Sequence, residues 1–289
     1  MESFFLCLDV GGTEIKAACV SRAGKLLCPV ARFPSKSSGT REEILTHLAK
    51  ICRQVCPDGR KTAGVRFAFP GPFDYQRGIC QMQGLSKYDR IYGVNLREAM
   101  ASRLGLPEET ILFCNDVAAF AMGEMAYGRA AGAERTMCVC IGTGCGSAFG
   151  VKGVLASEET PGVPPHGYIY PLPFLDSCID DYLSRRGLMA LSQRRLGSAE
   201  DGASLAKRCA VGDSAACECF MAFGMWVRDA LIPIAKAFHP DVLCMGGAIT
   251  QSEALFLPPL RQACQDCEIQ LAITEDTSLR TIQGLSVLQ

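Results

Sequence analysis

The first residues that could do chemistry stand near the start of the chain, where an aspartate and two glycines follow an apolar run. Asp9 ends that run, and Gly11 and Gly12 predict a tight hairpin turn. Glycine lets backbone N–H groups approach phosphate oxygens closely, and Thr13 adds a hydroxyl donor. Asp9 would face such phosphates and could hold Mg²⁺, directly or through water. The alternative is an ordinary hairpin with an acidic strand end.

A second glycine-rich turn, Gly142-Thr143-Gly144, stands between two apolar runs in the second half of the chain. It is not a dinucleotide fingerprint, because no glycine stands three positions after Gly144 and no helix pattern opens there. It is not a P-loop either, since the chain has no Gly-Lys-Ser/Thr sequence. Taken alone, this turn could be a plain hairpin. Two such turns, one in each half, favour a two-sided phosphate clamp.

Two further stretches end apolar runs with residues suited to a ligand. Gly246 and Gly247 leave bare backbone on which a flat ligand could lie, although a simple strand-to-helix turn explains them equally well. Asn115 and Asp116 put an amide and a carboxylate at a strand end. Asp116 could act as a general base toward a hydroxyl group, and Asn115 could orient the same substrate. Asp116 is also a good N-cap for the helix that follows, and the two roles are compatible.

The periodicity of the chain predicts alternating strands and helices that position these residues. The predicted strands cover residues 4–10, 15–20, 26–33, 65–69, 110–114, 136–141, 147–151, 242–245 and 269–274. The predicted helices cover residues 41–56, 95–104, 117–127, 176–188, 215–238 and 279–288, with Thr40 as the cap of the first. Both halves begin with a strand, a glycine-rich turn and a strand. We therefore expect an α/β protein with an internal duplication, divided into lobes 1–116 and 117–289, with the final helix able to pack back on the first lobe.

Composition excludes several classes of function. The chain has 289 residues, of which 48% are hydrophobic, and its 29 basic and 30 acidic residues give a net charge of −1. This balance argues against a nucleic-acid partner and against binding to anionic membranes. No apolar run reaches the ~20 residues of a membrane span, and the first residues show no signal peptide, so we expect a cytoplasmic protein. The 17 cysteines are odd in number and often lie in apolar runs, which predicts free thiols.

Five motifs in this order resemble those of the ROK family, which contains bacterial sugar kinases and sugar-responsive repressors. They are Leu8-Asp9-Val10-Gly11-Gly12-Thr13, Pro70-Gly71-Pro72, Asn115-Asp116-Val117, the glycines at 142, 144 and 146, and Met245-Gly246-Gly247. The resemblance implies a two-lobed actin-like ATPase fold with ribonuclease H-like duplicated domains and an interlobe cleft. It also implies an ATP-dependent sugar kinase that uses Mg²⁺ and forms a homodimer. Repressors of the family carry an N-terminal winged helix, for which a strand starting at Phe4 leaves no room.

Transfer of the family's motifs assigns roles to individual residues. The resemblance makes Asp116 the catalytic base and Asn115 and Gly71 sugar-binding residues. Its two phosphate motifs match Gly11–Thr13 and Gly142–Gly144, and its adenosine motif matches Gly246 and Gly247. Asp9 would hold Mg²⁺.

Two departures from the family pattern concern the sugar and zinc sites. The Gly-Glu-x-Gly-His stretch aligns best with Gly162 to His166, which keeps His166 as a sugar ligand but places Val163 at the glutamate position. Of the family's zinc-binding cysteines only Cys178 remains, so no structural zinc is expected. Asp180 stands at the glutamate position of that motif and could still reach the sugar.

The missing glutamate leaves a second hypothesis open, a non-catalytic sugar or nucleotide sensor with the same fold. The presence of Asp9, Asp116 and both phosphate turns favours the kinase. A chaperone-like ATPase fits less well, because the chain has no room for a peptide-binding domain.

Overall fold

The computed structural model describes residues 3–56 and 62–289 and has a mixed α/β fold. Its contacts divide the chain into two compact units. The first lies within Met1–Gly128 and includes Ser278–Gln289, and the second is Arg129–Thr277. The division that we predict after residue 116 therefore falls earlier in the chain than the division made by the contacts.

The first unit is built around a five-stranded sheet. Its elements in chain order are β1 (Phe4–Val10), β2 (Glu14–Ser21), β3 (Ala31–Pro34), α1 (Arg41–Val55), β4 (Gly64–Phe69), β5 (Phe73–Asp74), β6 (Ile79–Cys80), α2 (Leu96–Leu104), β7 (Ile111–Asn115) and α3 (Asp116–Tyr127). The strand order is β3-β2-β1-β4-β7. β1 is antiparallel to β2 and parallel to β4, and β4 is parallel to β7. β5 and β6 form a separate small hairpin.

The second unit repeats this topology with a second five-stranded sheet. Its elements are β8 (Arg135–Ile141), β9 (Cys145–Val151), β10 (Val154–Leu155), β11 (Pro173–Phe174), β12 (Ser177–Cys178), α4 (Ile179–Tyr182), α5 (Arg185–Leu196), α6 (Gly202–Ala210), α7 (Ser214–Phe238), β13 (Val242–Gly246), α8 (Glu253–Phe256), α9 (Pro258–Asp266) and β14 (Gln270–Ile273). The order β10-β9-β8-β13-β14 has the same strand directions as the first sheet. The predicted duplication is confirmed.

The alternation of side chains along β1 decides which way Asp9 points. Phe4, Leu6, Leu8 and Val10 belong to the hydrophobic cluster that contains α1 and α2. Phe5 and Cys7 belong to the opposite cluster, which contains residues of α3 and of the last helix, α10 (Thr277–Leu285). Because successive side chains of a strand point to opposite faces, Asp9 shares the face of Phe5 and Cys7. Asp9 thus lies on the side of the first sheet that α3 and α10 cover.

The last helix packs closely on α3 within the first unit. A Cβ atom built on Gly284 would lie only 1.9 Å from the carbonyl oxygen of Ala119, so this contact requires glycine. Arg280 of α10 forms an ion pair with the fully buried Glu124 of α3, with 3.5 Å between Nε and Oε1. These contacts fix the N-terminal end of α10, where Ser278 lies.

Two predicted elements differ from the structure, and one helix of the structure was not predicted. The third strand is shorter, because residue 26 joins β2 by a single bridge and Pro29 has no N–H to extend the ladder. The helix predicted over 176–188 is two helices, since the hydroxyl group of Ser184 accepts a bond from the amide of Gly187 and begins α5 anew. α6 was not predicted. In the described ranges no helix is both long and apolar enough to cross a lipid bilayer.

Candidate functional site

The first unit gathers its polar residues at one edge of its sheet. β1, β4 and β7 are parallel, so their carboxyl ends meet at the same edge. Asp9 lies near the end of β1, Gly71 follows β4, and Asn115 ends β7. Asp116 is the first residue of α3 at this edge. Ligands of α/β sheets bind outside the carboxyl ends of the strands, so this edge is the candidate site of the first unit.

The Asp9 carboxyl group lies in a partly buried cluster of charged and polar groups. Lys16 is its partner across the β1–β2 ladder. The ammonium group of Lys16 donates a hydrogen bond of 2.5 Å to the hydroxyl oxygen of Ser278 and lies 3.8 Å from Glu14. Burial and, secondly, the charge of Asp116 raise the pKa of Asp9 to about 6, although Lys16 and Ser278 act in the opposite direction.

Asp116 is also held in a setting that disfavours its charge. Burial raises the pKa of its carboxyl group, while a hydrogen bond from the amide of Val117 and the charge of Lys87 oppose this shift. That amide lies 2.9 Å from Oδ1 of Asp116. At the first position of α3 the carboxylate also faces the positive end of the helix dipole. Burial therefore makes the Asp116 carboxylate a stronger base than an exposed aspartate.

The N-cap of α3 is Asn115 rather than Asp116, which corrects the capping alternative considered from the sequence. Oδ1 of Asn115 accepts bonds from the amides of Val117 and Ala118, at 2.9 and 3.2 Å. Because the cap uses Oδ1 of Asn115, the Nδ2 group of the same side chain is available to donate hydrogen bonds in the site. Asp116 is thereby relieved of the capping role, although its carboxyl group still accepts a bond from the amide of Val117.

The Nδ2 group of Asn115 donates to the hydroxyl oxygen of Tyr75 at 3.3 Å. The Tyr75 hydroxyl group in turn donates to the carbonyl oxygen of Phe69 at 3.0 Å. A Cβ atom built on Gly71 would lie 3.5 Å from the same hydroxyl oxygen. The structure thus brings together Asn115 and Gly71, the two sugar-binding residues predicted in the first unit, around Tyr75.

The Gly11–Thr13 turn offers unused backbone donors. The amide of Gly11 donates to the carbonyl oxygen of Glu14 at 2.9 Å and closes the turn. Among the described residues, the amides of Gly12 and Thr13 have no protein acceptor. Two adjacent free N–H groups at a glycine turn can donate hydrogen bonds to the oxygens of a phosphate group.

The carbonyl groups of the same turn accept hydrogen bonds from three side-chain hydroxyl groups. The hydroxyl groups of Ser35 and Ser37 donate to the carbonyl oxygen of Gly12, at 2.5 and 2.6 Å. The hydroxyl group of Tyr88 donates to the carbonyl oxygen of Gly11 at 2.8 Å. Tyr88 is fully buried. The turn is consequently fixed with its amides free.

The second unit has an equivalent turn between β8 and β9. The amide of Gly142 donates to the carbonyl oxygen of Gly144 at 2.9 Å, and the amides of Thr143 and Gly144 have no acceptor in the described part of the chain. The next amide, that of Cys145, donates to Oδ1 of Asp180 at 2.7 Å. The other carboxylate oxygen of Asp180 lies 2.6 Å from Nη2 of Arg186. Both oxygens of Asp180 thus have protein partners, and one of them supports the phosphate turn.

A cavity of about 320 Å³ adjoins this turn. Its walls include apolar side chains, the backbone of Gly142 and Thr143, and the stretch that follows Gly247. The residues that line it are Gly142, Thr143, Arg185, Leu188, Asp201, Gly202, Ala203, Ala248, Ile249, Gln251 and Ser252. The volume and the mixture of apolar and polar groups suit a small ligand that has a flat ring and hydroxyl groups. The helix missed by prediction, α6, supplies part of this wall.

Gly246 and Gly247 connect β13 to this cavity. Gly246 is buried in the strand, and Gly247 has φ +95°, a conformation that favours glycine. The amide of Gly247 donates to the hydroxyl oxygen of Thr277 at 2.9 Å. The backbone therefore turns sharply at Gly247, and Ala248 and Ile249 enter the cavity wall.

The other predicted sugar residue of the second unit, His166, has different partners from Asp180. His166 is exposed, its amide donates to Oε2 of Glu158 at 2.6 Å, and its Nδ1 lies 3.3 Å from the same oxygen. Val163 is buried in the core of the unit, where its side chain has no polar role. A carboxylate therefore stands beside His166, but it comes from Glu158.

Asp9 is the residue best suited to a metal ion. No three His, Cys, Asp or Glu side chains converge on one point within residues 3–56 and 62–289. Mg²⁺ commonly binds through one or two carboxylates plus phosphate oxygens and waters. The cluster around Asp9 fits that pattern, because a cation would relieve the repulsion between Asp9 and Asp116. All 17 cysteines lie in the described part of the chain, where none forms a disulfide bond and most are buried.

Four residues of the site were missed or misplaced by sequence reasoning: Lys16, Tyr75, Lys87 and Ser278. A partial signal existed for Lys16, because the turn after Val10 brings the second strand back along the first, where Lys16 pairs with Asp9. Ser278 lies far along the chain and meets Asp9 only because α10 packs beside α3. No local pattern could have found that contact.

Known proteins are similar to this chain in sequence and in fold, and the similarity extends over nearly the whole chain. The sequence profile of the ROK family matches residues 5–281. A glucokinase of Thermotoga maritima is 25% identical over 288 aligned residues, which cover 90% of this chain and 86% of that protein. The ROK hexokinase of Thermus thermophilus superposes with a TM-score of 0.80 at 20% identity, covering 99% of this chain and 97% of that one.

A second solved structure carries ligands. The ROK family glucokinase of Streptomyces griseus, in complex with glucose and AMPPNP, superposes with a TM-score of 0.77 at 20% identity and covers 98% of both chains. These likenesses confirm the predicted two-lobed actin-like fold class. The chain belongs to the ROK family.

Proposed function

We propose that this protein is an ATP-dependent sugar kinase, which transfers the γ-phosphoryl group of ATP to a hydroxyl group of a hexose or a related sugar. The observation that carries the proposal is the pair of carboxyl groups, Asp9 and Asp116, beside the free amides of Gly12 and Thr13. One carboxylate can serve a metal–phosphate group and the other a hydroxyl group. The relationship to proteins named glucokinase supports the same reaction.

Asp116 is assigned the role of general base. Its carboxylate accepts the proton of the sugar hydroxyl group as the hydroxyl oxygen forms a bond to the γ-phosphorus atom. The bond between that phosphorus atom and the bridging oxygen breaks, and ADP leaves with the electron pair. Asn115 and the backbone at Gly71 orient the sugar, and Tyr75 holds the Asn115 amide in place. Such catalysis is mainly positioning and charge stabilisation.

Asp9 is assigned to Mg²⁺ binding, directly or through water. When bound, Mg²⁺ would supply positive charge to the phosphate oxygens of the donor. Lys16 and Ser278 hold the carboxyl group of Asp9 and keep part of its charge balanced without the metal. The amides of Gly12 and Thr13 are assigned to phosphate oxygens.

The second unit is assigned the nucleoside end of ATP. The cavity between the Gly142–Gly144 turn and Ala248 has room and apolar walls for an adenine ring, and Arg185, Asp201 and Gln251 offer polar groups to the ribose and base. The free amides of Thr143 and Gly144 are assigned to phosphate oxygens. Asp180 supports this turn.

The sugar contacts of the second unit are assigned to His166 and, in place of the family's glutamate, to Glu158. The two side chains form one pair, with 3.3 Å between Nδ1 and Oε2. Because Glu158 reaches the pair from a different backbone position, we propose an acceptor whose hydroxyl pattern differs from that of glucose.

A non-catalytic sensor of sugar or nucleotide is the second candidate. The burial of Val163, where the family has a glutamate, favours it, since a site without that carboxylate binds a hexose more weakly. Loss of a hydrogen bond to a charged group weakens binding by about 1.5–3 kcal/mol.

Release of ADP from Mg-ATP in the presence of a panel of sugars tests the proposal. The panel includes glucose, N-acetylglucosamine and β-glucosides, sugars in the names of related kinases, together with sugar phosphates. We expect at least one sugar to accelerate ADP release well above the rate without sugar. If no sugar does so while calorimetry still detects nucleotide binding, the sensor replaces the kinase as the better account.

A further inference from the structure

Lys87 lies directly over the first phosphate turn. A Cβ atom built on Gly12 would stand 3.2 Å from Cδ of Lys87. The aliphatic part of the lysine therefore packs on the residue whose amide is free to bind phosphate. A lysine that packs its stem this way can deliver its ammonium group beside the ligand of the turn.

The backbone around Lys87 is fixed by its neighbours. Tyr88 is fully buried, donates its hydroxyl hydrogen to the carbonyl oxygen of Gly11 and donates its amide to the carbonyl oxygen of Ser37 at 2.7 Å. The carboxylate of Asp89 accepts a bond from the amide of Leu85 at 3.2 Å and closes the loop. The position of Lys87 next to Gly12 is consequently built into the fold of the first unit.

The charge of Lys87 is not committed to a protein partner. No carboxylate in the described part of the chain lies within ion-pair distance of its ammonium group, whereas Lys16, on the same site, bonds Ser278 and pairs with Glu14. Lys87 is still close enough to Asp116 for its charge to lower the pKa of that carboxyl group. It is thus a cation placed between a phosphate turn and a base, with its hydrogen-bond donors available.

We propose that Lys87 is a catalytic residue, whose ammonium group contacts the γ-phosphoryl group of the donor at Gly12. The inference rests on the proposed kinase function and adds a protein cation to the transfer step. Lys87 neither gains nor loses a proton: the hydroxyl proton goes to Asp116, the γ-phosphorus atom changes its oxygen partner, and the ammonium charge balances the phosphoryl oxygens throughout. It also favours the carboxylate form of Asp116 that the reaction requires.

The variant Lys87→Met tests this role, because methionine keeps an unbranched stem over Gly12 and removes the charge. With the acceptor found for the unchanged protein, we expect kcat to fall about a hundredfold, as for loss of one charge-stabilising donor. The KM for the sugar should change by less than about threefold, since Lys87 does not hold the sugar. Lys87→Arg should recover part of kcat, and Lys50→Met, on the exposed side of α1, should leave it unchanged.

A binding measurement keeps this role separate from the kinase function. Calorimetry with AMPPNP and with ADP compares ligands that differ in the γ-phosphoryl group. We expect Lys87→Met to weaken AMPPNP binding about tenfold and to leave ADP binding unchanged, as for one charged hydrogen bond. Equal losses for both ligands, or none for AMPPNP, would overturn the role of Lys87 whatever the turnover. If the unchanged protein phosphorylates no sugar but Lys87→Met shows this selective loss of AMPPNP binding, the contact stands and the kinase assignment fails.

Discussion

The carboxyl groups of Asp9 and Asp116 lie close enough together for the negative charge of Asp116 to raise the pKa of Asp9. Their like charges meet at the carboxyl edge of one sheet, where burial disfavours both. Such a pair is unfavourable in the folded protein alone. It becomes favourable when a cation and a phosphate ester occupy the site, which is the arrangement expected of a phosphotransferase.

Replacement of Asp9 by asparagine should stabilise the protein, and more so at high pH. The folded-state pKa of about 6 lies above the ordinary value of 3.8. The folded protein therefore retains a proton between these values that the unfolded chain has lost, and the free energy of unfolding falls as the pH rises through this range. The Asp9→Asn variant escapes this cost, which amounts to about 3 kcal/mol at pH 8 and about half of that at pH 5.

Urea denaturation of both proteins at pH 5 and pH 8 measures this difference. The Asp229→Asn variant, which removes one carboxylate from an exposed position of α7, provides the control for the loss of a negative charge. An Asp9→Asn variant that is less stable than the unchanged protein at pH 8 would mean that Asp9 is a stabilising ion-pair partner and not a strained site residue.

Replacement of Asp180 by alanine distinguishes two roles for this residue. Its contact with the Cys145 amide predicts that the variant loosens the Gly142–Gly144 turn and raises the KM for ATP about tenfold, the effect of losing one charged hydrogen bond. The sugar-ligand role inferred from the family predicts a raised KM for the sugar instead. Steady-state kinetics with each substrate varied in turn separates the two.

The neighbouring Asp181 provides a matched control for Asp180. Asp181 also lies near Arg186, at 3.8 Å, but its side chain is half-exposed and accepts a hydrogen bond from the hydroxyl group of Ser177. Asp181→Ala should leave both KM values unchanged. A rise in the KM for the sugar alone in Asp180→Ala would return Asp180 to the sugar site.

Replacement of Gly247 by alanine should weaken nucleotide binding. A Cβ atom there would lie 2.2 Å from the carbonyl oxygen of Ile141, and the backbone has φ +95°. Gly153 has a similar φ of +78° with no heavy atom within 4 Å of its added Cβ. Gly153→Ala therefore carries only the conformational cost, about 1 kcal/mol.

Calorimetry with ATP and thermal melting of the two glycine variants measure these effects. We expect Gly153→Ala to bind ATP normally and Gly247→Ala to bind it at least tenfold more weakly, because a backbone clash of this size must move the cavity wall. Normal binding in Gly247→Ala would show that the cavity beside β13 does not hold the nucleotide.

The repeated pattern of strand, glycine turn and strand was enough to predict the duplicated fold. The continuous apolar run of β1 and the helical spacing in α1 are local signals, and the structure confirms both elements. The break between α4 and α5 was missed because it depends on one capping hydroxyl group, that of Ser184, inside a sequence that otherwise favours a helix.

The site was predicted in part, for a physical reason. Asp9, Asn115 and Asp116 end apolar strands, so their positions follow from local patterns and from the parallel order of the strands. Lys87 and Ser278 reach the same edge through a loop and through the last helix, whose placement depends on long-range packing. Such contacts produce no periodic pattern in a single sequence from which they could be predicted.

The most direct test of the account is the rate of phosphoryl transfer in a single turnover by Asp116→Asn, with the best sugar acceptor and saturating Mg-ATP. Loss of a general base should slow this step about a thousandfold, while the Kd for ATP stays within about threefold of the unchanged protein. Asparagine keeps the size of the side chain and its place at the start of α3, so the fold should persist. Transfer within about tenfold of the normal rate would contradict the assignment of Asp116 as the base.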